Sequence, residues 1–174
     1  AIEAVQGATR AEAVQLVDGQ LLPCDLVVVG IGMQPNIELA MAAGLEVGQG
    51  IRVDAQLRTS APDIFAAGDI CEFRLHPQGV FQRQETWRNA ETQGRDAAVN
   101  PLGGELPFEA IPGFWSDQYD WGLQTVGVIA NTEPTASRTT PGDGFLLFYL
   151  DAEQRLQGAC GWGQGNSVAK DIKL

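Results

Sequence analysis
Three short runs hold the residues whose types and spacing could do chemistry. Ile64-Phe65-Ala66-Ala67-Gly68-Asp69 is apolar up to a glycine and then a carboxylate. It predicts a buried strand presenting a ligand group at its carboxyl end, the usual place for a ligand on an open α/β sheet. Glu85-Thr86-Trp87 opens a helical stretch, and a helix start offers free backbone N–H groups and a positive dipole end to an electron-rich group. Trp115 lies in Phe114-Trp115-Ser116-Asp117-Gln118-Tyr119. Taken alone, each run also has a plain structural reading. Gly68-Asp69 reads as a strand-to-turn transition, Glu85 as a helix-capping acid and Trp115 as a core aromatic.

Other chemistries find little support. Cys24, Cys71 and Cys160 form no CxxC pair and are odd in number, which argues against a disulfide framework or a zinc or iron–sulfur site and fits reduced thiols in a cytoplasm. His76 stands in Arg74-Leu75-His76-Pro77 with no second histidine to form a ligand set. The serines lack a GxSxG elbow, so a hydrolase is not indicated. A net charge of −11 disfavours nucleic acid and anionic membranes as partners. That charge is uneven: residues 51–100 carry six arginines against seven acids, and the flanks five basic residues against fifteen acids. The arginine-bearing middle reads as a solvated surface or as a dock for an acidic protein.

The elements that must position these residues follow from pattern. The 174 residues, 44% of them hydrophobic with 21 glycines, suit a globular chain rich in turns and close backbone approaches. Alternation through Ala13, Gln15 and Val17, then Asp18-Gly19, then Leu21-Leu22 predicts a hairpin. Leu26 to Val29 is apolar on both faces, as a strand buried on both sides should be. Asn36 is positioned to cap a short helix over 37–43, ended by Gly44. Residues 50–54 predict another short strand. A helix is expected from about Thr86 to Val99, capped by Thr86 or Glu85, with Trp87, Ala90, Ala97 and Ala98 on one face. Strands are expected over 123–129, 145–150 and 155–160, the last two joined by a turn at Asp151–Gln154, with a helix beginning in 166–174. The longest apolar stretch, Leu26 to Met33, is far shorter than the roughly 20 residues of a membrane span. The opening at Ala1 shows neither an initiating Met nor a signal-peptide pattern, and the chain reads as cut from something longer.

Three runs together resemble the flavoprotein reductases of Rieske dioxygenase and cytochrome P450 systems, within the pyridine nucleotide–disulfide oxidoreductase superfamily. The first is Asp25-Leu26-Val27-Val28-Val29-Gly30-Ile31-Gly32-Met33-Gln34-Pro35-Asn36, similar to the return from an inserted NAD domain to the FAD domain. The second, Thr59 to Asp69, is similar to the second FAD fingerprint. The third, Phe114 to Tyr119, resembles the start of the C-terminal domain peculiar to the ferredoxin reductase branch.

The resemblance implies an α/β remnant of an FAD/NAD(P)-binding fold followed by an α+β reductase C-terminal domain. It divides the chain into 1–50 (tail of the NAD-binding domain and return), 51–103 (last part of the FAD domain) and 104–174 (C-terminal domain). It implies FAD and NADH as cofactors, with Gly32, Gly68, Asp69, Glu85, Thr86, Trp87 and Trp115 at the cofactor. Asp69 would bind the ribityl chain, and Trp115 and Glu85 would stand nearest the chemistry. Electrons would pass from NADH through FAD to a ferredoxin or rubredoxin serving an oxygenase. Both GxGxxG fingerprints of the family are missing, so the chain alone is expected to be incomplete. Gly113 also stands where some relatives have a second aromatic. The alternatives are a folded, non-catalytic module that only binds a protein partner, and an apoptosis-inducing-factor-like oxidoreductase.

Overall fold
The structure is a computed structural model that describes residues 1–75, 79–109, 111–129, 133–140, 142–165, 167–168 and 172. It divides into two compact units, residues 1–34 and 35–174.

Residues 1–34 hold an antiparallel sheet of β1 (Ile2–Gln6), β2 (Ala13–Leu16) and β3 (Leu21–Pro23), in the order β1-β2-β3. The hairpin between β2 and β3 turns at Asp18-Gly19 as the sequence predicts. The Asp18 carboxylate accepts the Gln20 N–H at 3.0 Å, and Gly19 supplies the left-handed φ of 83°. Pro23 can lie in β3 because that strand is an edge. The strand expected at Leu26–Val29 is absent. Leu26, Val28 and Val29 are 77%, 86% and 68% exposed. A run apolar on both faces needs neighbours on both sides, and no strand pairs with it among the described residues.

The second unit opens with α1 (Glu38–Ala42). Its N-cap is Ile37, without a side-chain hydrogen bond, so Asn36 does not cap it. Its end is as expected: Gly44, at φ 73°, donates to the Met41 carbonyl, and Leu45 donates to that of Ala40, the paired arrangement that closes a helix on a glycine. Two short strands, β4 (Ile51–Arg52) and β5 (Cys71–Glu72), pair in parallel. The 64–69 run between them is not a strand; only Phe65 bridges to Arg58. Gly68 instead begins a turn in which the Cys71 N–H donates to the Gly68 carbonyl at 2.9 Å.

Helix α2 (Trp87–Val99) matches the expected span, and the Thr86 hydroxyl accepts the Asn89 N–H. The face differs from expectation. Trp87 and Ala98 are exposed, and the buried positions are Asn89 and Gln93. Ala97 does pack inward, onto a core of Val53, Leu57, Cys71, Phe73 and Phe108. The buried Asn100 fixes the far end of α2, donating to the Gln56 carbonyl at 2.7 Å and accepting from the Leu106 N–H at 2.9 Å.

A five-stranded antiparallel sheet follows: β6 (Gly113–Gln118), β7 (Trp121–Gly127), β8 (Ala136–Thr140), β9 (Gly144–Leu150) and β10 (Leu156–Gln164), in the order β6-β7-β10-β9-β8. The 114–119 run is thus largely a strand itself, paired with β7, and does not merely precede one. The turn at Asp151 forms as predicted, with the carboxylate accepting the N–H groups of Glu153 and Arg155. These bonds hold the Asp151 carboxyl below its ordinary value, the Arg155 N–H being the largest cause. Val126, Leu146 and Ala159 form a second core with Val168 and Ile172. Gly161 lets that chain approach: a Cβ there would lie 2.6 Å from Ile172 Cδ1. The remainder of the helix expected in 166–174 lies outside the described residues, as does His76.

Candidate functional site
The Gly68-Asp69 turn packs against α2. A Cβ built on Gly68, whose φ is 86°, would meet the Ala90 Cβ at 3.6 Å. The Gly68 N–H donates to Gln93 Oε1 at 2.8 Å in a buried contact. Asn89, one helical turn earlier, donates through Nδ2 to the Gln84 carbonyl at 3.1 Å. The buried polar edge of α2 therefore holds the turn on one side and the helix entry on the other.

Arg83 ties the same elements from another direction. Its Nε donates to the Asp69 carbonyl at 3.1 Å, Nη1 to the Gln49 carbonyl at 3.3 Å, and Nη2 to the Glu85 carboxylate. The Arg83 side chain is only 13% exposed, so these bonds satisfy a largely desolvated guanidinium. The Asp69 backbone is thus fixed, while its half-buried carboxylate accepts no hydrogen bond among the described residues. Asn89 Oδ1 and Gln93 Nε2 are fully buried and without a partner among the described residues. Buried polar atoms are ordinarily paired; these two are enclosed by protein, which leaves the Asp69 carboxylate as the group of this cluster available to a polar ligand.

Thr86 is the N-cap, as anticipated, and Glu85 is not; its carboxylate is engaged by Arg83. Helix geometry leaves the Trp87 and Arg88 N–H groups without intrahelical acceptors. Trp87 and Trp115 meet edge to face, ring centroids 6.3 Å apart and planes at 80°. The register of β6 on β7 places Trp115 on the sheet face that carries Val126 and Ala159. Gly113 leaves room for Arg88, whose Nη1 would lie 3.5 Å from a Cβ at that position.

The structure therefore brings Gly68 and Asp69 together with α2, which opens at Thr86 and Trp87, and Trp87 with Trp115. Gly32 belongs to the unit of residues 1–34, at φ 90° with open space where a Cβ would stand. Arg83, Asn89 and Gln93 were missed by sequence reasoning. The Arg83-x-Glu85 spacing and the i, i+4 spacing of Asn89 and Gln93 were the available signals. Among the described residues no cluster of His, Cys, Asp and Glu is placed to hold a metal ion, and no helix is long and apolar enough to cross a membrane.

Comparison with known proteins gives the wider frame. The ferredoxin–NAD(+) reductase component of the anthranilate 1,2-dioxygenase system of Burkholderia cepacia is 40% identical over 172 residues, 98% of this chain and 42% of that protein. The ferredoxin reductase for the CYP199A2 system of Rhodopseudomonas palustris superposes with a TM-score of 0.85 at 39% identity, covering 98% of this chain and 42% of that one. The reductase of the covalent putidaredoxin reductase–putidaredoxin complex gives a TM-score of 0.83 at 35% identity, over 99% and 42% of the two chains. The chain thus spans about two fifths of the length of these relatives. Residues 113–174 match the reductase C-terminal family, so the α/β portion is followed by a domain of that type. Residues 1–94 match the pyridine nucleotide-disulphide oxidoreductase family, to which this chain belongs.

Proposed function
We propose that this chain forms the flavin-ribityl side and the C-terminal domain of an NADH-dependent ferredoxin or rubredoxin reductase serving an oxygenase. The observation that carries this reading is the Asp69 turn. Its backbone is clamped by Arg83, its carboxylate is unengaged among the described residues, and the N-terminus of α2 stands beside it. A carboxylate acceptor beside free helix N–H donors fits a ligand that carries both hydroxyl groups and negative charge, as FAD does. In this reading residues 1–50, 51–103 and 104–174 are the tail of the NAD-binding domain, the end of the FAD domain and the reductase C-terminal domain.

When bound, FAD supplies the conversion of two-electron hydride chemistry into single-electron transfer. The Asp69 carboxylate would accept from a ribityl hydroxyl in a charge-assisted hydrogen bond. The N-terminus of α2 offers free N–H groups and a positive dipole end to negative charge on the ligand. Trp87 and Trp115 would together cover that end of the bound ligand. Free thiols at Cys24, Cys71 and Cys160 suit a cytoplasmic setting. The test is NADH oxidation by the protein as its own gene encodes it, coupled to reduction of an added iron–sulfur ferredoxin or rubredoxin. Reduction of the acceptor supports the reading; NADH-independent behaviour, with no acceptor reduced, overturns it.

A further inference from the structure
We propose that Arg83 is a positioning residue that sets the Asp69 carboxylate for its ligand, an inference resting on the flavin reading above. One guanidinium accounts for three contacts with separate pieces of chain: the Asp69 carbonyl at 3.1 Å, the Gln49 carbonyl at 3.3 Å and the Glu85 carboxylate. Gln49 leads into β4 and Asp69 into β5, strands paired in parallel through Ile51 and Cys71. Arg83 therefore closes the leading end of that pair and joins it to the segment entering α2. Gly50 makes the closure possible. A Cβ there would lie 3.1 Å from Arg83 Cδ and 2.5 Å from the Ile70 carbonyl oxygen, so the arginine stem runs against bare backbone.

The pair formed by β4 and β5 is only two residues long in each strand, too short to hold a turn rigid by its own ladder. The fixed fork of arginine can donate in several directions at once, whereas lysine, a single point charge on a flexible stem, cannot reproduce that geometry. Glu85 balances the charge of Arg83, so the clamp adds little net field. Its role is to fix backbone, and through the backbone the direction of the Asp69 side chain.

The test is titration of the flavin-free protein, as its own gene encodes it, with FAD, following flavin fluorescence for wild type, Arg83→Met, Arg83→Lys, Asp69→Asn and the Arg83→Met/Asp69→Asn double variant. Arg83→Met is expected to weaken FAD binding roughly ten- to a hundred-fold, the scale of a hydrogen bond to a charged group, and Arg83→Lys to recover little of it. The double variant should bind no more weakly than Asp69→Asn alone, because the two residues act on one contact. Effects that multiply, or wild-type affinity in Arg83→Met, overturn the proposal. Hydrogen exchange on the flavin-free protein separates this from failure of the flavin reading. Arg83→Met should speed exchange at residues 49–51 and 68–71 together while leaving Val126 and Ala159 protected. Unchanged exchange at 68–71 overturns the clamp whether or not FAD binds, whereas a wild type that binds no FAD overturns the flavin reading.

Discussion

Trp87 and Trp115 stand edge to face with ring centroids 6.3 Å apart, and this contact joins the first turn of α2 to the edge strand of the five-stranded sheet. Both rings remain substantially exposed, Trp87 at 69% and Trp115 at 45%, so they do not form a core. In the flavin reading proposed above, this exposed pair would cover one end of the ligand.

The pair should be energetically coupled. In a double-mutant cycle of Trp87→Ala and Trp115→Ala, denaturant unfolding is expected to give a coupling of about 0.5–1.5 kcal/mol, the range for aromatic pairs beyond simple burial. Strictly additive effects would mean that the contact contributes nothing.

Asp69 should act on affinity more than on folding. Asp69→Asn keeps the shape and removes the charge, and is expected to cost about 1.5–3 kcal/mol in FAD binding. The melting temperature of the flavin-free protein should move little, because the carboxylate has no partner among the described residues. Equilibrium titration beside a thermal melt separates the two.

Thr86→Ala should destabilise α2 by roughly 0.5–1 kcal/mol, the lower part of the N-cap range, since the hydroxyl accepts from Asn89 at a long 3.3 Å. Thr86→Ser should restore most of it. Chemical denaturation of the three proteins checks the order.

Much of this arrangement was legible in the sequence. Asp18-Gly19 and Asp151–Gln154 were readable because turn chemistry is local: a carboxylate bonds its own neighbours wherever the chain goes. The cap at Thr86 and the glycine after α1 were readable for the same reason. Leu26–Val29 and Ile64–Ala67 read as strands from composition, yet a strand exists only where another pairs with it, and apolarity does not name the partner. The buried face of α2 was misjudged because a rule that sends apolar residues inward passes over Asn89 and Gln93, which are buried to bond backbone. Arg83 was passed over because two of its three acceptors, Gln49 and Asp69, lie at sequence distances that only the fold brings together, and Arg83-x-Glu85 alone says nothing of a turn.

Cys71 gives a pH prediction. Burial pushes its thiol up from the ordinary 9.0 to about 12. The unfolded chain releases that proton first, so this contribution to stability is complete below pH 9.0 and declines as pH rises toward about 12. Cys71→Ala should flatten that alkaline decline in unfolding experiments. Thiol labelling of the native protein at mildly alkaline pH should leave Cys71 unmodified.

In the proposed reading, Asp69 is the ribityl-binding carboxylate of a flavin site. The most direct measurement is the visible absorption spectrum of the purified protein, as its own gene encodes it, beside Asp69→Ala after extensive gel filtration. The wild type should show the bands of a bound oxidised flavin and the variant should lack them, with both proteins folded. A folded wild type of the mass its gene specifies, free of flavin bands and unable to take up added FAD, would contradict that reading.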